Sequence, residues 1–220
     1  MDIKEILSKT DHTLLKPEST WEQIQTLIDE AIRYSAASVC IPPSFVKRAA
    51  DYANGQMPVC TVVGFPNGHA SPRTKIFEAV DAIENGASEI DSVINVGDVK
   101  AGDYDLVMAE LAALRRATEG YILKIIIECC LLTEKEKIEL CKLVTEAGAD
   151  YIKTSTGFST GGATFEDVKL LRENVGSTVK VKAAGGISSL EDAARFIESG
   201  ADRLGTSRII KLIMKGETLK

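Results

Sequence analysis

The chain contains an internal repeat in which small residues, then a polar residue, lead into a short aliphatic stretch. The four copies are Ala36–Cys40, Gly86–Ile90, Gly148–Ile152 and Gly200–Leu204. Aligned on the alanine that precedes the polar residue, the copies lie 50, 62 and 52 residues apart. Since a strand with its crossover helix takes about 30 residues, each interval has room for two such units. The copies therefore mark every second strand.

The other strands are predicted between these copies, in stretches rich in aliphatic residues. They are Thr13–Leu15, Val59–Val63, Ile122–Ile127 and Thr178–Ala183. Helical stretches separate the strands, and the glycine that opens each of the last three copies suits a helix C-cap. Eight strands alternating with helices predict the α/β class and a (β/α)8 TIM barrel, as a single domain over residues 1–220. An open doubly wound sheet is the alternative, because local patterns do not distinguish the two.

The charge of the chain limits its partners. The formal net charge is −6, so no basic field exists to hold nucleic acid or an anionic membrane surface. An anionic substrate must therefore bind at a local site. No aliphatic run is long enough to span a bilayer, and residues Met1–Glu5 lack the apolar core of a signal peptide. We expect a cytoplasmic protein.

Cysteine and histidine usage points away from a metal site. The five cysteines and two histidines lack the spacing of metal ligands, which predicts reduced thiols and no bound metal. Neither a Walker loop nor a dinucleotide-binding glycine fingerprint is present, so we expect no cofactor.

Equivalent positions of the repeat carry unusual residues. The fourth residue after each aligned alanine is Ile41, Asp91, Lys153 or Gly205. These positions should lie at a similar height in the barrel, near the C-terminal strand ends where barrel enzymes have their active sites. A charged pair at that height is hard to explain by packing.

Strand alternation adds a second lysine. Lys180 and Lys182 share the barrel face of their strand, and Lys182 is nearer its C-terminal end. A second cation near a lysine disfavours its protonated form and supplies a free amine that attacks a carbonyl. Spacing does not tell which lysine is the nucleophile. The alternative is a structural ion-pair network, for which Lys124 and Glu128 on one strand face are an example.

Four motifs contain these residues. They are Asp11–Pro17 (DHTLLKP), Glu89–Asn95 (EIDSVIN), Tyr151–Ser159 (YIKTSTGFS) and Val181–Ile187 (VKAAGGI). Together they resemble the deoxyribose-phosphate aldolase family, over nearly the whole chain. The resemblance implies reversible, metal-independent cleavage of 2-deoxy-D-ribose 5-phosphate into D-glyceraldehyde 3-phosphate and acetaldehyde. It also implies a homodimer that uses no cofactor.

The resemblance assigns catalytic roles that spacing left open. Lys153 matches the lysine that forms the Schiff base. Lys182 matches the lysine that weakens proton binding by that amine and assists proton transfer. Asp91 matches the aspartate that relays protons through an ordered water.

Glycines after the last three predicted strands suggest a phosphate site. Gly157, Gly185, Gly186 and Gly205 can offer backbone N–H groups, and Ser188 stands at the start of a helix. The family pattern adds the hydroxyl of Ser207, an aspartate near a substrate hydroxyl and a pocket cysteine. The candidate substrate-binding residues are Asp11, Cys40, Thr156, Gly157, Gly185, Gly186, Gly205 and Ser207.

Some of these residues have simpler explanations. Asp11 equally suits a cap of the turn into Thr13, and Cys40 an ordinary buried cysteine. Arg208 stands where the family pattern has a small residue. It either binds phosphate through its fork of donors or lies in solvent.

Two other functions fit a barrel with these lysines. One is a lysine-dependent aldolase that prefers ketone donors to acetaldehyde. The other is a non-catalytic sugar-phosphate-binding barrel, since a fold alone proves no activity. The joint presence of Lys153, Lys182 and Asp91 argues against the second.

Overall fold

Eight parallel strands close into a barrel in the computed structural model, which describes residues 1–219. In chain order they are β1 Thr10–Thr13, β2 Ser38–Ile41, β3 Val59–Val63, β4 Glu89–Val93, β5 Ile122–Ile126, β6 Tyr151–Lys153, β7 Lys180–Ala184 and β8 Arg203–Thr206. Each strand pairs with its neighbours in sequence, and β8 pairs with β1, where Asp11 lies opposite Gly205. The predicted TIM barrel is confirmed, and the open sheet is wrong because the two end strands are hydrogen-bonded.

Helices surround the barrel. They are α1 Ile3–Ser8, α2 Trp21–Arg33, α3 Val46–Ala53, α4 Pro72–Glu84, α5 Val96–Ala101, α6 Tyr104–Ala117, α7 Glu134–Glu146, α8 Phe165–Asn174, α9 Leu190–Glu198 and α10 Ile209–Met214. The apolar core lies between their inner faces and the outer faces of the strands. None of the described helices is long and apolar enough to cross a lipid bilayer.

The start of helix α2 shows how the sequence sets a helix boundary. Thr20 is the N-cap, and its backbone N–H donates to the side chain of Gln23 at 3.0 Å, closing a capping box. Ile24, Leu27 and Ile28 recur at helical spacing and are buried against the barrel. Cap and apolar stripe together fix where the helix begins and which face it buries.

The first strand is misplaced in the sequence-based prediction. Residues Thr13–Leu15 were expected to form it, but β1 spans Thr10–Thr13. The reason is chemical: β1 carries Asp11 into the barrel interior, so the strand is not recognisable as an aliphatic run. Leu14 and Leu15 instead line a cavity at the C-terminal end of the barrel.

The other predicted strands lie close to the observed ones, although β7 spans Lys180–Ala184 rather than the predicted Thr178–Ala183. Strand β3 is confirmed at Val59–Val63, and β5 ends one residue before its predicted end. Helices α4, α7 and α9 each end two residues before the glycine of the following copy. Alternation of helix and strand was therefore visible in the sequence.

The interior of the barrel is charged rather than apolar. Carboxylates and cations from β1, β4, β5, β6 and β7 are buried inside it; they are Asp11, Glu89, Asp91, Lys124, Lys153 and Lys182. Burying one such group alone would be costly, so each must be paired with others. The ion pairs that meet this requirement join side chains of different strands and hold those strands together.

The loop between β3 and α4 is tied down at both ends. The Gly64 N–H donates to the Glu78 carboxylate at 2.7 Å, and the Gly68 N–H donates to the Gly64 carbonyl at 2.7 Å. Gly68 has φ +71°, and a Cβ there would lie 1.9 Å from the Ile94 carbonyl oxygen. Only glycine allows this close approach between two backbones.

We expect Gly68→Ala to destabilise the protein more than Gly55→Ala. Gly55 has φ +75° and nothing within 4 Å of a built Cβ, so its substitution reports only the backbone cost, about 1–2 kcal/mol. Gly68→Ala adds the steric clash. The two free energies of unfolding in denaturant test this, and equal losses would show that the loop moves freely away from Ile94.

Candidate active site

A cavity of about 360 Å³ opens at the C-terminal end of the barrel. The segments that follow β1, β6, β7 and β8 line it. Of the residues predicted from sequence, it brings together Lys153, Thr156, Gly157, Gly185, Gly186, Gly205 and Ser207. Arg208, for which the sequence left phosphate binding and a place in solvent as alternatives, also lines the cavity and is exposed. Asp91, Lys182, Asp11 and Cys40 lie outside its lining.

Asp91 is buried below the cavity and binds three lysines. Lys153 Nζ and Lys182 Nζ each donate to Asp91 Oδ2 at 2.7 Å, and Lys124 Nζ donates to Oδ1 at 2.8 Å. Burial raises the pKa of the Asp91 carboxyl, but the three ammonium charges outweigh it and hold that pKa well below its usual range. Asp91 is therefore an ionised hub.

Lys153 is the member of this group that reaches the cavity. Its side chain is 4% exposed, whereas those of Lys124 and Lys182 are 0% exposed. Burial lowers the pKa of Lys182, but Asp11 and Asp91 outweigh it and raise that pKa above its usual range. Burial also lowers the pKa of Lys124, but nearby anions, chiefly Asp91, raise that pKa well above its usual value. Lys124 and Lys182 are thus fixed cations.

Asp11 belongs to the same network. Its side chain accepts hydrogen bonds from Ser38 Oγ at 2.7 Å and from Arg203, and its other oxygen pairs with Lys182. Although burial raises the pKa of Asp11, Lys182, Lys124 and Arg203 lower it below its usual range. The alternative that Asp11 caps a turn is wrong, because its carboxylate is taken up inside the barrel.

Cys40 is fully buried beside Cys60, its partner in the register of β2 and β3. The neighbouring Cys60 thiol lowers the pKa of the Cys40 thiol. The Cys60 thiol also lies 3.2 Å from Asp91 Oδ1. Ligand atoms of Cys40, Cys60 and Asp91 lie within 4.8 Å of one another, but lysine ammonium groups supply the positive charge next to them.

Three charged residues of this network escaped the sequence analysis as site residues. Lys124 Nζ pairs with Glu89 as well as with Asp91, and Arg203 binds Glu89 and Asp11. Alternation was the available signal, since Glu89 shares a strand face with Asp91. The structural network posed as an alternative exists around Lys124, but its partners there are Glu89 and Asp91; the expected partner Glu128 lies beyond the end of β5 and binds Thr156 instead.

Several backbone N–H groups at the cavity are free to bind an anion. Within residues 1–219, those of Gly157, Gly186, Ile187 and Ser207 donate to no protein acceptor. Gly157 and Gly186 have positive φ. Successive N–H groups in such turns form concave anion sites.

Two predicted donors are already occupied within the protein. Ser188 precedes the N-cap of α9, which is Ser189, and its N–H and hydroxyl both donate to Asp192. The N–H and hydroxyl of Thr156 both donate to the Glu128 carboxylate. The glycines, rather than these hydroxyls, are the available donors.

The sequence is similar to those of known aldolases. The sequence profile of DeoC/LacD family aldolases matches residues 5–208. A deoxyribose-phosphate aldolase of Streptococcus agalactiae is 58% identical over 213 residues, covering 97% of this chain and 96% of the relative. One of Streptococcus pyogenes is 58% identical over 220 residues, covering 100% of this chain and 98% of the relative.

Solved structures give the same result. A deoxyribose phosphate aldolase of Aeropyrum pernix, described as tetrameric, superposes with a TM-score of 0.90 at 30% identity, covering 98% of this chain and 93% of its own. A protein described as QR15, an aldolase, gives 0.91 at 38% identity and 96% coverage of both chains. The resemblance predicted from the motifs is confirmed, and the chain belongs to the DeoC/LacD family of aldolases.

Proposed function

We propose that this aldolase reversibly cleaves 2-deoxy-D-ribose 5-phosphate through a Schiff base on Lys153. The observation that carries the proposal is that, of the three lysines bound to Asp91, Lys153 is the one that lines the cavity. An amine must touch the carbonyl carbon to attack it, and the other two amines are sealed below. The names of the streptococcal relatives support the choice of sugar phosphate.

The reaction starts with attack of Lys153 Nζ on the aldehyde carbon of the open-chain sugar. Loss of water from the adduct leaves an iminium ion. Removal of the proton on the C3 hydroxyl then breaks the C2–C3 bond, whose electrons flow to the iminium nitrogen. D-glyceraldehyde 3-phosphate departs, and the remaining enamine takes up a proton at carbon. Hydrolysis releases acetaldehyde and restores the amine.

Asp91 transfers the protons of this sequence, and Lys182 positions its carboxylate. In the resting site Asp91 Oδ2 accepts from both Lys153 and Lys182. When Lys153 becomes an iminium nitrogen it has fewer hydrogens to donate, so the buried Oδ2 is freed to accept a proton that an ordered water relays from the substrate in the cavity. Lys182 keeps its charge and holds the carboxylate in place during this exchange.

The phosphate of the substrate binds where N–H groups are available. Gly157, Gly186 and Ser207 supply these on the rim of the same cavity as Lys153. Arg208 lines that rim and, among the residues described, pairs with no carboxylate. Because the chain as a whole is negative, this local set of donors must attract the anion.

Three further predictions from the sequence accompany this proposal. They are the organisation as a single domain over residues 1–220, a cytoplasmic location and assembly into homodimers.

Borohydride trapping with acetaldehyde tests the Schiff base. We expect an ethyl-sized mass increase on the peptide that contains Lys153, because reduction makes the imine permanent. Lys153→Leu should lose the adduct and lower kcat on the order of 10³-fold or more, as loss of a covalent nucleophile does. The matched control is Lys169→Leu, an exposed lysine of α8. An adduct on another lysine in the native protein would reject Lys153 as the nucleophile.

Acid unfolding tests the ionised carboxylates on which the mechanism depends. Asp11 and Asp91 have depressed pKa values, so their pairing stabilises the fold above about pH 4. That stabilisation is lost as the pH falls through the folded-state pKa. We expect the free energy of unfolding to fall below pH 4, and to fall less steeply in Asp11→Asn. Parallel pH dependence of the two proteins would contradict a role for Asp11.

Arg208→Ala tests the cationic rim. We expect KM for the phosphorylated sugar to rise about tenfold, since a guanidinium–phosphate contact is lost, while KM for unphosphorylated 2-deoxyribose stays the same. Arg116→Ala, an exposed arginine of α6, is the control. Steady-state kinetics with both sugars measure the effect, and an unchanged KM for the phosphate would put Arg208 in solvent.

A further inference from the structure

Glu128 has an unusual backbone and an unusual environment. It lies two residues beyond β5 with φ +55°, in the left-handed region that residues other than glycine seldom adopt. The residue is 4% exposed. Both features cost free energy, and packing alone would favour an apolar residue or a glycine here.

Thr156 makes the short contacts to the Glu128 carboxylate, and the Cys130 thiol lies farther away, 3.9 Å from Oε1. The Thr156 N–H lies 3.3 Å from each of its oxygens, and Thr156 Oγ1 donates to Oε2 at 2.5 Å. Across residues 1–219 it forms no ion pair with a lysine, arginine or histidine. Both donors of Thr156 are thereby committed to one buried carboxylate.

These bonds fix the turn that follows the catalytic strand. With its hydrogen directed to Glu128, Thr156 Oγ1 is left to accept the Phe158 N–H at 3.1 Å. Gly157 between them has φ +84°. The backbone of this region is also anchored, since the Cys129 N–H donates to the Thr154 carbonyl at 2.8 Å. Glu128 thus connects the end of β5 to the loop after β6.

The turn supplies part of the cavity wall. Gly157 lines the cavity that contains Lys153, and its N–H has no acceptor within the described chain. The Phe158 ring packs edge-on against Phe65, with centroids 5.2 Å apart. Glu128 itself lines a separate neighbouring cavity of about 310 Å³ and is absent from the first. Thr156 and Phe158 line both cavities, so Glu128 acts on the first cavity through this turn.

We infer that Glu128 is a positioning residue that holds the Thr156–Phe158 turn so that the Gly157 N–H binds the substrate phosphate. This inference rests on the proposed function and extends it to a residue outside the cavity. Its carboxylate faces Thr156 rather than the cavity, so it orders the turn without placing a negative charge beside the bound phosphate.

Glu128→Gln tests the inference because it keeps the size of the side chain. The amide keeps one acceptor oxygen, but it replaces the other oxygen with an NH2 donor and removes the charge that strengthens both bonds from Thr156. We expect KM for 2-deoxyribose 5-phosphate to rise about tenfold, the effect of one hydrogen bond to a charged group. We expect kcat to stay within about twofold and the constants for unphosphorylated 2-deoxyribose to be unchanged.

Two further variants separate positioning from loss of stability. Glu110→Gln removes another buried carboxylate, which pairs with Lys75 at 2.7 Å between α4 and α6 and lines neither cavity. It should lower stability without changing the ratio of the two KM values. Thr156→Val removes the hydroxyl partner of Glu128 and should change the ratio of the two KM values in the same direction. This variant keeps the test available if Glu128→Gln folds poorly. Equal KM changes for both sugars, or an unchanged ratio, would overturn the inference.

Calorimetric titration with inorganic phosphate gives the same comparison without turnover. Weaker phosphate binding by Glu128→Gln than by the native protein supports the positioning role, and equal binding overturns it. If the native protein cleaves neither sugar, the proposed function is overturned instead. The phosphate titration needs no turnover, so it still tests the positioning role of Glu128 in that case.

Discussion

The structure depends on the buried carboxylate of Asp91. Three ammonium groups lie within 2.8 Å of its two oxygens, and each comes from a different strand. TIM-barrel interiors are usually filled by branched apolar side chains. Here the charges are tolerable only because each is paired with others, so removal of one partner leaves the rest uncompensated. The contacts that hold β4, β5, β6 and β7 together are therefore the same ones that orient Lys153.

Rigid and adjustable parts of the site are separated by height in the barrel. Below the cavity, Lys124, Lys182 and Arg203 are packed against carboxylates and fix the geometry. Above it, the loops after β6, β7 and β8 offer backbone N–H groups to an anion. Loops vary without disturbing strand pairing. Specificity for the distal part of a substrate can therefore change while the amine stays in place.

The sequence predicted the fold and the meeting of Asp91, Lys153 and Lys182 in the barrel because both depend on periodicity. A repeat marked alternate strands, and two-residue alternation put Lys182 on the face that meets Asp91. β1 was misplaced because a strand that carries Asp11 inward has no aliphatic run. Hydrogen bonds across loops left no periodic signal: Thr156 meets Glu128, and Ser188 turns back to Asp192. Such pairings depend on the conformation of the loop backbone, which leaves no pattern in the sequence.

The paired groups inside the barrel also have a charge balance. Asp11, Glu89 and Asp91 contribute three formal negative charges, while Lys124, Lys153, Lys182 and Arg203 contribute four positive ones when all are ionised. The fully ionised interior therefore has an excess of one positive charge. Once Lys153 gives up a proton, the same set of groups is electroneutral. The form of the barrel that can attack a carbonyl is the one without uncompensated charge.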